Sequence, residues 1–410
     1  MTKKASPVPS VIGCLVAQFC VGIIYVWSVL KASAISYFGW ADGAVNLVAS
    51  FMLFAFCIGN FIGGAINDHV GPRKVCFMGI ILFAVGIFAA SCLPAGSSIV
   101  LFYIFYCIIG GIGSGFTYGA VISCIQKWFP HKRGFASGLG TSAFGLATVV
   151  FSPVIGMMLS KMTISAALRV LSIVFLVVGI AACMFIRLPS AEYLAALPKV
   201  APKKTSIAAA RDMTFGEAVR TVPFWCLFLS LFFYNGTWNM LTPLIKGLGV
   251  QRGLPEAAAV MAVSLTGLTN AAGRLIMASV SDKIGRINTV HLLSVMTIIC
   301  ALLLIFVGGY VYFVIVLATA FAFGGPSAVN PATSTDLFGS RYSGTNYGVI
   351  MLSLGLSSIV FNAISNALFA ATGTYTLTFI MGAVSAFLTI VFMAIISSCL
   401  KKQKAARPSK

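Results

Sequence analysis

Apolar residues along this chain do not alternate with polar ones; they run in long blocks separated by short connections rich in charge, Pro or Gly. The blocks fall near 10–32, 43–66, 74–93, 98–126, 136–159 and 166–188. After one long polar connection they resume at 222–245, 256–280, 290–309, 311–334, 344–372 and 375–399. A helix rising ~1.5 Å per residue crosses a ~30 Å hydrocarbon core in about twenty residues. The pattern therefore predicts an all-α membrane protein with twelve transmembrane helices. Residues 1–188 form a first six-helix bundle, 189–221 a linker, and 222–410 a second bundle with a basic tail.

Composition agrees: 59% of residues are hydrophobic, 9% are charged, and the mean hydropathy is +1.01. A soluble domain carries about 25% charged residues. The net charge of +19 raises the question of nucleic acid, but the basic residues are scattered over short connections rather than gathered into a patch. Their distribution carries topology instead. The tails and even-to-odd loops hold twenty-one Lys and Arg, and the opposite loops hold five. The positive-inside bias puts both termini in the cytoplasm and the chain in a cytoplasmic membrane. The linker, rich in Ala, Lys and Pro, is expected to lie along anionic headgroups. The cysteines sit singly in apolar runs with no C-x-x-C pair, so neither a metal nor a redox centre is expected.

One charge stands well inside an apolar block. Arg274 lies eight residues before Asp282, about 12 Å along a helix, and so near mid-membrane. A central arginine costs roughly 2.5–3.5 kcal/mol on insertion scales. Helical spacing puts Val263, Gly267, Asn270, Arg274, Ala278 and Ser281 on one face, with Leu265, Ala272 and Ile276 opposite. A small, polar stripe carrying one cation suits a watery cavity and an anion, the alternative being an arginine that snorkels or pairs structurally.

The halves echo each other. GGAINDHVGPRK, with Asp68, Gly71 and Arg73, stands between the second and third blocks. MASVSDKIGR, with Asp282, Gly285 and Arg286, stands between the eighth and ninth. WFPHKRGFASG, containing Arg133, has a weaker counterpart in LFGSRYSGTNYG, containing Arg341. A six-span repeat is the mark of a transporter whose site lies at the interface of the halves. In the fourth block Gly111, Gly115 and Gly119 recur every four residues, which favours close helix packing over a phosphate loop.

These paired G-x-x-x-D-x-x-G-x-[KR] loops resemble the major facilitator superfamily along the whole chain, with Ala278 replacing the first glycine of the second copy. The resemblance implies the major facilitator fold, two pseudo-symmetric six-helix bundles. The WFPHKRGFASG, TNAAGR and DLFGSRYSGTNYG stretches are similar to the oxalate/formate antiporter group, which is related to the monocarboxylate transporters. It implies that Asp68 and Asp282, with Arg73, Arg133, Arg286 and Arg341, close the cytoplasmic gate. It carries a substrate-contacting role to Tyr118, whose alternative is a core tyrosine bonded to a carbonyl, and to Tyr25. Phe323 and Ser327 fall at aromatic-cage positions of the oxalate carrier, and Asn330 is a nearby amide with no role to carry over.

The chain departs from the group in its eleventh block. Leu354 falls where the oxalate carrier has a second cation, and 344–372 contains no Lys or Arg. One cation matches one carboxylate, since a dianion would leave a charge uncompensated. Asn270 stands where the monocarboxylate transporters place a proton-handling aspartate, and the acidic residues and histidines lie at block ends or in loops. The expected function is secondary transport of a small monocarboxylate such as lactate or pyruvate by alternating access around Arg274. Proton symport is the first reading and anion exchange the alternative. No enzyme activity, cofactor, metal or nucleic-acid partner is expected, and the carrier is expected to be a monomer in the lipid bilayer.

Overall fold

The computed structural model describes residues 6–197 and 212–405, and the regular structure among them is helical. The helix α1 (Val8–Val21) passes through a 3-10 turn at Gly22–Val26 into α2 (Trp27–Phe38). There follow α3 (Asp42–Val70), α4 (Pro72–Ser91) and α5 (Ile99–Phe102), which continues through a π-helical stretch at Tyr103–Ile109 into α6 (Gly110–Trp128). After α7 (Arg133–Leu159), α8 (Ile164–Phe185) and the short α9 (Ala191–Ala196) and α10 (Phe215–Ala218) comes α11 (Val222–Leu241). A 3-10 turn at Thr242–Leu244 leads to α12 (Ile245–Gln251). The chain ends with α13 (Glu256–Ile284), α14 (Arg286–Phe306), α15 (Gly309–Phe338), α16 (Ser343–Thr372) and α17 (Thr376–Ala405).

Among the described residues, ten helices are long and apolar enough to cross a membrane, and the α1–α2 pair, bent by 46°, makes an eleventh when taken as one span. The remaining expected span is α11, which is helical but falls outside that set. Tyr234, Asn235, Trp238 and Asn239 crowd polar groups into its second half. Large apolar side chains face outward, Val177 being 63% and Val314 59% exposed, as suits a surface solvated by lipid. Helices suit that solvent because every backbone polar group is satisfied within the segment.

The chain divides near residue 201 into two compact units, and Tyr342–Leu352 groups with the first. In the first unit the glycine face of α6 lies on α3. A β-carbon at Gly111 would sit 2.8 Å from the Ala55 side chain, and one at Gly119 would sit 2.5 Å from Asn60 Oδ1. In the second unit α13 and α15 make the corresponding contact, with Gly273 against the Phe321 carbonyl oxygen and Gly324 against that of Asn270. Small residues let the backbones touch, which dispersion then rewards. The repeated loops also match in backbone: Gly71 and Gly285 end α3 and α13 with φ of +86° and +94°, a conformation open to glycine at little cost.

The fold generates one test. Gly273→Val should lower the thermal stability of the detergent-solubilised protein by about 1–3 kcal/mol through overpacking against Phe321. Gly156→Ala in α7, where a β-carbon meets nothing within 4 Å, should leave it unchanged. Thermal unfolding of both variants checks this.

Candidate functional site

The second unit is built around α13. Its buried stripe is Ala262, Thr266, Asn270, Gly273, Arg274, Met277, Ala278 and Ser281. Val263, expected on that stripe, is instead 39% exposed, because the buried face turns away from it outside the α15 contact. Arg274 is 3% exposed, and its Nε–H donates to Asn270 Oδ1 at 2.7 Å across one helical turn. This bond uses the side edge of the guanidinium and fixes the orientation of the Nη edge. It also orients the Asn270 amide, whose carbonyl end is now engaged. Asn270 is neutral, so this bond positions the guanidinium without itself changing its charge.

The other expected residues of this unit lie on α15 and α16. Phe323 is 7% exposed and stacks on Trp238. Ser327 is half-buried and turns its hydroxyl back to the Phe323 carbonyl oxygen at 3.2 Å. Asn330 is 1% exposed, and its Oδ1 is sealed with no partner. Leu354 is half-buried on α16. Within this unit the Asn270–Arg274 backbone packs directly on Gly324, beside Phe323.

The first unit holds Tyr118 on α6, 3% exposed, edge-on to Phe56 and Phe144 with centroids 5.1 and 5.2 Å away. Tyr25 lies in the 3-10 turn that bends α1 into α2, and its side chain is outside the described set.

The loop residues form two clusters. Asp68 caps the start of α16: Oδ1 accepts the Gly344 N–H at 3.1 Å, and Oδ2 accepts the Thr345 N–H at 2.8 Å and hydroxyl at 2.7 Å. A carboxylate is favoured there by the open N–H groups and the helix dipole. In the second unit Arg286 ties three groups together. Its Nη1 lies 2.7 Å from Asp282 Oδ1 and donates to Ser281 Oγ at 2.6 Å, and its Nε donates to Asp336 Oδ2 at 3.0 Å. Arg73 is exposed, its guanidinium 5.9 Å from the Phe77 ring centroid. Arg133 opens α7 half-buried, and Arg341 is exposed, its backbone N–H bonded to Asp212 Oδ1 at 3.2 Å.

Sequence reasoning missed Asp336, Asp212, Thr345 and Trp238. The described end of the linker is not a simple basic tether. Asp212 accepts the Ser340 and Arg341 N–H groups, and the Met213 N–H donates to the Phe338 carbonyl at 2.8 Å. The middle of the linker, residues 198–211 with Lys199, Lys203, Lys204 and Arg211, lies outside the described residues. His291, expected at a block end, lies in the second turn of α14 with Nε2 sealed and without a partner.

Apolar helices around a buried cation, with duplicated capped loops, define a polytopic membrane transporter rather than an enzyme. The chain belongs to the Major Facilitator Superfamily, whose model matches residues 11–362. It is 30% identical to an oxalate:formate antiporter of Oxalobacter formigenes over 80% of this chain and 76% of that one. It is 25% identical to an apicoplast pyruvate carrier of Toxoplasma gondii over 93% and 87% of the two chains. Among solved structures, the transporter FucP in the outward conformation shares the fold with a TM-score of 0.71 at 14% identity, covering 95% of this chain and 98% of its own.

The charge cluster yields a prediction. Asp336→Ala removes one of the acceptors of a guanidinium that is only 10% exposed, and should cost about 1–3 kcal/mol of stability. Thermal unfolding of the purified variant against wild type measures it.

Proposed function

We propose that this transporter carries a small monocarboxylate of the lactate or pyruvate type, with Arg274 taking the carboxylate. The observation that carries the reading is the deeply buried guanidinium of Arg274, oriented by the Asn270 amide. Such a site has one positive charge to offer, and a carboxylate matches it in charge and in planar fork geometry. The absence of Lys and Arg from α16 supports a monoanion over oxalate, although a relative is an oxalate:formate antiporter. The relative that is a pyruvate carrier supports the same class. On this reading Phe323, Ser327, Asn330 and Leu354 shape the surroundings of the anion within the second unit, and Tyr118 and Tyr25 are the substrate-contacting tyrosines proposed for the first.

Asp68, Arg73, Arg133, Asp282, Arg286 and Arg341 act as gate residues that close the cytoplasmic side. The excess of basic residues on the terminal side supports cytoplasmic termini in a cytoplasmic membrane, with the carrier a monomer. Transport is proton-linked. Exchange is the second reading. A relative that is an oxalate:formate antiporter supports it.

The test is uptake of labelled pyruvate or lactate into empty and preloaded vesicles across an imposed pH gradient, for wild type and Arg274→Gln. Wild type should take up either acid, and the glutamine variant should lose uptake while remaining folded. Arg274→Lys should retain a small fraction at most. Near-normal uptake by Arg274→Gln would remove the proposal, and faster uptake into preloaded vesicles at zero pH gradient would favour exchange.

A further inference from the structure

One aromatic wall of the second unit has no part in the reading above. Trp238 of α11 lies nearly parallel to Phe323 of α15, with centroids 5.1 Å apart and planes 16° from parallel. Its register is fixed one turn earlier, where the Tyr234 hydroxyl donates to the Ala322 carbonyl oxygen at 2.6 Å. Phe323 is in turn held against the backbone of the turn that carries the cation. The next residue, Gly324, presses on the Asn270 carbonyl oxygen, and a β-carbon there would lie 3.1 Å from the Arg274 backbone nitrogen. Met277, nearly one turn beyond Arg274, packs in the same cluster as Tyr234 and Phe323, with Trp238 against it. Trp238, Phe323 and the Arg274 turn thus belong to one packed body.

The indole differs from every other tryptophan of the chain. Trp27, Trp40, Trp128 and Trp225 each donate their Nε1–H to a backbone carbonyl, that of Val45, Ser97, Arg187 and Val219 respectively, at 2.7–3.2 Å. The Trp238 Nε1–H has no acceptor among the described residues, and it is not sealed away. Trp238 is only half-buried, yet it lies near the middle of the path from Val222 to Gln251 rather than at an end. Tryptophans that serve as interfacial anchors sit at span ends, where the N–H meets headgroups. Here an accessible N–H donor stands on an aromatic face that packs, with Phe323 and Met277, on the helix carrying Arg274.

We propose that Trp238 sets specificity: its N–H donates to the oxygen on C2 of a short 2-oxo or 2-hydroxy monocarboxylate. The inference rests on Arg274 holding the carboxylate of that acid. The guanidinium and the indole both offer donors only, so the pair selects a ligand with acceptors on adjacent carbons. Pyruvate, lactate and glycolate have them, whereas acetate and propionate lack the second. The flat Trp238–Phe323 stack also stops the tail of the substrate, which limits chain length.

The experiment measures competition by pyruvate, lactate, propionate and 2-oxoisocaproate against labelled pyruvate in vesicles, for wild type, Trp238→Phe, Trp238→Ala and Arg274→Gln. Trp238→Phe keeps an aromatic ring on Phe323 and removes the N–H. Pyruvate and lactate should lose about tenfold in apparent affinity, the scale of one hydrogen bond, while propionate is unchanged. Trp238→Ala should in addition admit 2-oxoisocaproate. An equal fall for pyruvate and propionate in Trp238→Phe, or no change in either, overturns the inference while the Arg274 reading stands on the loss in Arg274→Gln. Uptake by Arg274→Gln at the wild-type rate overturns the carboxylate reading and this inference with it.

Discussion

The structure depends on one hydrogen bond between a cation and a neutral amide. The Arg274 Nε–H donates to Asn270 Oδ1 inside a helix where no other charge is buried so deeply. A guanidinium in that position is costly unless its donors are used, and the amide uses one of them without cancelling the charge. The neighbouring helix is shaped to accommodate it. Gly273 and Gly324 let α13 and α15 meet backbone to backbone, which fixes the turn carrying the arginine against the turn carrying Phe323. Rigid placement of a single cation is what selection of a single carboxylate needs.

The loops show the same economy at the helix ends. Asp68 satisfies the open N–H groups of α16, and Arg286 gathers Ser281, Asp282 and Asp336 around one guanidinium. Asp282 lies eight residues beyond Arg274, about 12 Å along α13. The deep charge and the loop charges therefore remain separate systems. On the proposed reading, this separation keeps the carboxylate-binding charge out of the pairs made by the gate loops.

Much of this was legible in the sequence, for a physical reason. A hydrocarbon solvent admits helices and demands apolar runs, so block lengths fixed the spans to within a few residues. Arg274 was visible because a charge in such a run has few explanations. The paired Asp–Gly loops were visible because glycine is needed where φ turns positive, as at Gly71 and Gly285. Other features leave weaker traces. The bend at Gly22–Val26 and the π-helical stretch at Tyr103–Ile109 are shifts in backbone hydrogen bonding that composition does not encode. Asp336 and Asp212 acquire their roles from which loops meet in space. Trp238 reads in sequence as apolar bulk, and its unused donor shows only when the acceptors around it are known.

The most direct measurement is calorimetric binding of pyruvate and of oxalate to the purified protein at neutral pH. A site with one deep cation and a neutral amide predicts that pyruvate binds and that oxalate, burying a second carboxylate without a partner, binds at least about tenfold more weakly. Oxalate binding as tightly as pyruvate would contradict the account.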